Sequence, residues 1–186
     1  MRKSLSTIFV IGLLFLQSAV AFGGSDSIPP CPDLDFRALP IINAQVLAWK
    51  QTEPNQFRKR ARVRGRITQV LADKNGHRHF EIQIGPNENA DVIEVIYNSE
   101  FGALPPLAKG LDVEACGDFI VSTAQSGPYP PSPAGAIIHW VHMNPAHRGH
   151  PPGYLWIEGT FCGQDISRAS QTNDLSFVSA FSFDRN

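Results

Sequence analysis

The chain predicts an all-β fold, a small barrel of five to six strands behind one short N-terminal helix, and three observations predict it. Short alternating or apolar runs recur at 58–71, 79–84, 91–97, 111–121, 136–142 and 154–161. Turn formers separate them: Asn75-Gly76, Gly85-Pro86-Asn87, Leu104-Pro105-Pro106, the segment 127–133 and Pro151-Pro152-Gly153. Gly65 sits in the middle of the first and longest run, where a strongly bent barrel strand needs a residue that permits a bulge. This pattern favours an OB-like barrel over a parallel sheet with crossover helices, with a small sandwich as the alternative.

The elements follow in order. Residues 1–21 carry Arg2 and Lys3, an apolar run from Ile8 to Leu16 and Ala19-Val20-Ala21, the pattern of a cleaved export signal. The apolar run is well short of the roughly 20 residues that span a bilayer, and the mature chain holds no longer one. A periplasmic or secreted protein is therefore expected, and a monomer. Residues 22–40, rich in Gly, Ser and Pro, form a linker or ordered arm. Ile42, Val46 and Trp49 recur at near-helical spacing across 41–51, and Pro54 ends that helix. The barrel domain is expected over 41–162, and 163–186 is a tail whose Phe177, Phe181 and Phe183 could dock as a last strand.

Removing Arg2 and Lys3 leaves 14 cations against 17 acids, a formal charge of −3. Bulk charge thus does not advertise a nucleic-acid binder. Three cysteines in an oxidising compartment suggest one disulfide and one spare thiol. Cys116 and Cys162 are the expected pair, because both lie in strand-like runs while Cys31 lies in the Pro-rich leader; spacing leaves a Cys31 pairing open.

All six histidines fall in two windows, His77 and His79 in the first, His139, His142, His147 and His150 in the second. Imidazole titrates near neutral pH, ligates transition metals and moves protons, so the windows locate candidate chemistry. On an extended strand His139 and His142 face opposite ways, unless the strand ends or bulges between them. His139, His142 and His150 are the candidate metal ligands, for zinc or another divalent transition metal such as copper. The competing reading is a set of solvated loop histidines beside one buried, hydrogen-bonded imidazole. Trp140 and Trp156 read as core or rim aromatics before ligand platforms.

Arg58, Arg60, Arg62, Arg64 and Arg66 alternate strictly, so one strand face carries a row of guanidinium groups. Arg60, Arg62 and Arg64 are the candidate binding residues for an anionic polymer, nucleic acid or polysaccharide. Glu81, Glu94 and Glu114 could neutralise the row from neighbouring strands, which would remove that surface. No Gly-x-Ser-x-Gly elbow, phosphate-binding loop, dinucleotide fingerprint or Cys-x-x-Cys pair is present, so serine-hydrolase, nucleotide-driven and thioredoxin-like chemistry are not indicated.

Residues 65–159 resemble a family of small exported bacterial proteins classed as a domain of unknown function. Its pattern includes a His-x-x-Phe strand, a His-Asn pair, Gly-Val-Ile-His-Trp-Thr-His, an Asp-Pro, a later His and Gly-Trp-Ile. His77 to Phe80 fits the second strand, Ala136-Ile137-Ile138-His139-Trp140-Val141-His142 the signature, Asn144-Pro145 the next element, and His150 with Trp156-Ile157 the last. The resemblance implies an OB-like barrel and raises His77, His139, His142 and His150 above His79 and His147; Trp140 and Asn144, within the matched stretch, join the candidate binding residues. Two departures, Tyr97 before Asn98 and Asn144 before Pro145, stand where the family has His and Asp.

Two functions follow from these residues. One is a metal-dependent hydrolase of phosphodiesters, with His77, Asn98, His139 and His142 catalytic and the arginine row steadying the polyanion. The other is a non-catalytic OB-like module for an oligosaccharide, nucleic acid or envelope protein, or a periplasmic metal-binding protein.

Overall fold

The structure, a computed structural model, describes residues 28–165. The expected export signal at 1–21 and the tail phenylalanines expected to dock lie outside the described residues. Cys31–Pro32 (β1) and Ala38–Leu39 (β2) pair antiparallel in an ordered arm, and Asn43–Thr52 forms α1. Then come Arg58–Val70 (β3), His77–Gln83 (β4), Val92–Asn98 (β5), a 3₁₀ turn at Ser99–Phe101, Asp112–Val121 (β6), Ala136–His139 (β7), Tyr154–Ile157 (β8) and Thr160–Cys162 (β9).

The larger sheet runs β3-β4-β5-β7-β6-β8-β9, and a further β3–β6 pairing closes its first five strands into a barrel. All ladders are antiparallel except β5–β7, where Glu94 and Val95 lie parallel to Ile137 and Ile138. This is the small OB-like β-barrel expected, with β8 and β9 as an added hairpin. β3 reaches two neighbours because it bends. Its first nine residues pair with β6 and its last ones with β4. A Cβ at Gly65 would stand 2.0 Å from the carbonyl oxygen of Gln83, so only glycine lets the crossing strands meet.

Alternation sorts each strand into two faces. Val63, Ile67, Phe80, Ile82, Ile93, Val95, Tyr97, Val113, Phe119 and Ile138 point inward and are fully buried. α1 caps one end of this core with Val46, while Ile42, Leu47 and Trp49 pack against it. The helix agrees with the expected spacing, and its chain leaves at Glu53 just ahead of Pro54.

Three expectations are corrected. The last run, 154–161, is two strands: Glu158 at φ 45° and Gly159 at φ 85° make a two-residue turn of the kind that matches strand twist. β7 stops at His139, because Trp140 takes a φ of 53° and breaks the extended path. The disulfide joins Cys31 to Cys116, not Cys116 to Cys162. The reason is side-chain parity. Cys162 pairs with Leu155 and joins the barrel core, whereas Cys116 faces outward between Glu114 and Asp118, under the arm that carries Cys31.

Denatured, unreduced protein should therefore titrate a single thiol, and peptide mapping should link Cys31 to Cys116. A double Cys31→Ser, Cys116→Ser variant should lose about 2–5 kcal/mol of stability in urea unfolding. A mapped Cys162 bridge would refute this topology.

Candidate functional site

The outward faces of the barrel form one continuous surface. Cross-strand register places His77 opposite Asn98, His79 opposite Ile96, and Asp118 opposite His139 and Arg60. The arginine row and the histidines therefore share a face, as a common site requires. They do not share a free surface. Asp118 takes Arg58 at 3.0 Å and Arg60 at 3.1 Å, Glu114 takes Arg62 at 2.7 Å, and Asp112 takes Arg66 at 2.9 Å. The disulfide-pinned arm lies over the same row, its Pro32 carbonyl accepting from Arg60 at 3.0 Å and its Leu39 carbonyl from Arg62 at 3.3 Å. Arg64 is exposed and its guanidinium stands over the Trp156 ring. Of the acids foreseen as neutralisers only Glu114 plays that part; Glu94 is held by His79, and Glu81 faces Glu94 across β4 and β5.

The histidines of the second window are mostly interior. His139 and His142 are buried, and a file of rings joins them: His77 to His139 at 5.8 Å, His139 to Trp140 at 4.7 Å, Trp140 to His150 at 5.2 Å. His142 stacks on Phe101 at 3.7 Å and meets His150 edge-on at 5.6 Å. Nδ1 of His142 and of His150 donates to the carbonyls of Met143 and Pro151, at 2.7 and 2.8 Å. Nε2 of His142 is buried with no hydrogen-bond partner among the described residues. Burial drives the His139 and His150 pKa values down, and that of His142 down to about 3; neighbouring imidazoles push the same way at His139 and His142, and the guanidinium groups of Arg60 and Arg58 at His150. These rings are neutral at pH 7.

Asn98 and Asn144 are brought near but act on the backbone. The Asn98 amide oxygen accepts from Glu100 N at 2.9 Å, capping the 3₁₀ turn. Asn144 Nδ2 donates to the carbonyls of Arg148 at 2.9 Å and His150 at 2.5 Å, closing the loop over His142. Among the described residues, no group of three or more His, Cys, Asp or Glu side chains is disposed to hold a metal ion. The foreseen trio of His139, His142 and His150 thus does not fit the metal it was assigned. Trp140 stands between His139 and His150, and His142 meets only the edge of the His150 ring.

A cavity of about 520 Å³ lies instead between the β3–β4 turn and the long loop 122–135. Ile96, Ile120 and Ile137 form its floor, and Tyr129 with the prolines at 128, 130, 131 and 133 forms a wall. Lys74, Asn75, His77, His79, Glu94 and Gln56 supply its polar groups. The wall is anchored, since Ser122 exchanges backbone bonds with Gly135 and Ser132, and Asn55 accepts from Thr123 and Ala124. His79 Nδ1 lies 2.6 Å from the Glu94 carboxylate. Gln56 has a φ of 70°, and its Oε1 is buried without a hydrogen-bond partner among the described residues.

His77 is the one foreseen catalytic residue that lines this cavity. Gln56, Lys74 and Tyr129 were not foreseen in a site, Glu94 was foreseen only as a partner for the arginine row, and His79 stood outside the candidate site residues. A signal was present: β4 alternation puts His79 and His77 on one face, and Glu94 is the diagonal cross-strand neighbour of His79, opposite Glu81. No protein-family model matches the chain, and a search of curated proteins returns no match.

The buried imidazoles make folding stability depend on pH with a definite sign. Unfolded, they bind protons below about pH 6.5, while folded His142 does not do so until about pH 3. Stability is thus intact above about 6.5 and falls as the pH drops through that window, by about 1.4 kcal/mol per pH unit for each such histidine. Urea unfolding between pH 6 and pH 4 should show a shallower fall for His142→Gln than for wild type. Equal slopes would contradict a buried neutral His142.

Proposed function

We propose that the protein is an exported binding module that holds a short, uncharged, hydroxyl-bearing chain, an oligosaccharide, in the cavity between the β3–β4 turn and the loop 122–135. Gln56 carries this reading. Gln56 stands in the cavity wall at a φ of 70°, and its amide oxygen, buried without a partner among the described residues, gains a donor where the side chain turns toward the cavity. A ligand hydroxyl supplies that donor.

Three further features support it. Barrels of this topology hold oligosaccharides and oligonucleotides on the face bounded by the loops after their first and fourth strands, and the cavity opens between those two loops. Among the described residues Lys74 is the lone lysine or arginine in the lining, whereas a polyanion calls for a row of them. Tyr129 and the three isoleucines offer apolar faces against which sugar rings pack. The signal-like N-terminus and the Cys31–Cys116 bridge fit an oxidising compartment, periplasmic or extracellular. No helix among the described residues is long and apolar enough to cross a membrane. The phosphodiesterase reading draws no such support, because Arg60 and Arg62 are ion-paired and no group of ligands among the described residues is disposed to hold a metal.

Methyl-labelled protein titrated with maltotetraose, cellotetraose and chitotetraose should shift the Ile96, Ile120 and Ile137 signals with at least one of them. Gln56→Ala should weaken that binding roughly three- to tenfold, the worth of one hydrogen bond. Shifts with a thymidine octanucleotide and with none of the sugars would replace this reading with nucleic-acid binding.

A further inference from the structure

His79 and Glu94 give the same cavity the parts of a catalyst. The Glu94 carboxylate can only accept, so the proton of a neutral His79 ring sits on Nδ1, 2.6 Å from Glu94 Oε1, and Nε2 presents its lone pair. Glu94 is 5 % exposed and His79 lines the cavity, with no hydrogen bond to its Nε2 among the described residues. A carboxylate-oriented imidazole in the wall of a ligand cavity, its second nitrogen outside any hydrogen bond among the described residues, is the general-base half of a hydrolytic site.

The remaining lining selects the bond. Cleaving a glycosidic linkage takes two carboxyl groups, and Glu94 is the one carboxylate lining the cavity among the described residues. A phosphodiester calls for cationic clamps on its developing charge, and here the lining offers only Lys74. A carboxylic ester needs neither, since its alkoxide leaves with one returned proton. We propose that this cavity hydrolyses O-acyl esters carried on the hydroxyls of a neutral oligosaccharide, with His79 as the catalytic base and Glu94 as its positioning residue. Nε2 takes a proton from water as that water attacks the acyl carbon. The acyl C–O bond then breaks, and the imidazolium returns the proton to the departing sugar oxygen. One ester and one water become one carboxylic acid and one free hydroxyl. Lys74 and Asn75, on the turn leading into β4, line the cavity as donors for the developing oxyanion.

This inference rests on the oligosaccharide reading, and the test separates the two. Purified protein in chelator is given mono-O-acetylated forms of the three tetrasaccharides, acetate release is followed by proton NMR, and binding of the unacetylated sugars is measured in parallel. Wild type should release acetate; His79→Gln should lower kcat by about 10²–10⁴-fold while sugar affinity falls by no more than about tenfold, the worth of one hydrogen bond. Glu94→Gln should lower kcat at least tenfold with KM within about threefold, a split that orientation by a carboxylate produces. Added imidazole should restore turnover to His79→Ala. Sugar binding without acetate release by wild type overturns the esterase and leaves the binding module standing. Release abolished by His77→Gln and untouched by His79→Gln overturns the assignment of the base. Absence of sugar binding in wild type removes both. Should the His79 variants fail to fold, acetate release by wild type above the buffer rate, or its absence, still decides whether the cavity is an esterase.

Discussion

Barrel closure runs through nine residue pairs between β3 and β6, and the two faces of that ribbon do different work. Inward, Ala61, Val63, Val113, Ala115 and Phe119 are fully buried, and their burial supplies the hydrophobic drive. Outward, Arg58, Arg60, Arg62 and Arg66 meet Asp112, Glu114 and Asp118. The ion pairs differ in weight. Arg66–Asp112 is well exposed and contributes little, while Arg60–Asp118 is buried, so removing either partner strands a desolvated charge at about 3–5 kcal/mol. The disulfide enters this ribbon at Cys116 and lays the N-terminal arm across it. One register thus closes the barrel, consumes the cations and fixes where the arm can lie.

That consumption separates two kinds of polar group on the outer surface. Asp118 is shared by Arg58 and Arg60, and Tyr154 donates to Glu114 at 2.7 Å, so the polar groups around β6 satisfy one another. The ring file of His139, Trp140 and His150 sits beside them and is equally closed, its imidazoles stripped of protons by burial. Such neutral rings are adaptable packing pieces, flat and stackable, each with one N–H for a backbone carbonyl. Across β5 the pattern changes. Gln56, His77, His79 and Lys74 look onto open space, and the floor beneath them is isoleucine.

The five barrel strands, the Asn75-Gly76 turn, the bend at Gly65 and the helix around Val46 were legible because each depends on neighbours in sequence or on one residue's backbone freedom. The disulfide was not, although parity held the clue: Cys116 alternates with the inward Ala115, and Cys162 pairs with the inward Leu155. That pairing is a register, which no single strand encodes. The arginine row was read correctly as one face, and its neutralisation was anticipated in kind, but Asp112 and Asp118 required the β3–β6 register. His139 and His142 were placed in a site because imidazoles in a short window suggest metal chemistry. Folding turned Trp140 into a positive φ and sent the window inward. Residue type marked the candidates, and burial decided which of them can meet a ligand.

Reactivity needs three things of an imidazole: a fixed tautomer, a nitrogen left to react, and a path for the substrate. His142 has the first through the Met143 carbonyl, yet its Nε2 is sealed within the fold. His150 likewise donates to Pro151 and lies against Trp140. His77 borders the cavity, but its Nδ1 faces the Asn75 carbonyl at 3.0 Å, a neutral dipole that orients the ring and supports a positive charge on it less than a carboxylate does. His79 alone among the described histidines combines a carboxylate on Nδ1 with a place in the cavity wall. A carboxylate does more than orient, since it lowers the energy of the imidazolium that forms as a proton is taken up. The carboxylate–imidazole pair in the cavity wall is thus made of the least conspicuous histidine of the first window and a glutamate fifteen residues away that only the β4–β5 register brings to it.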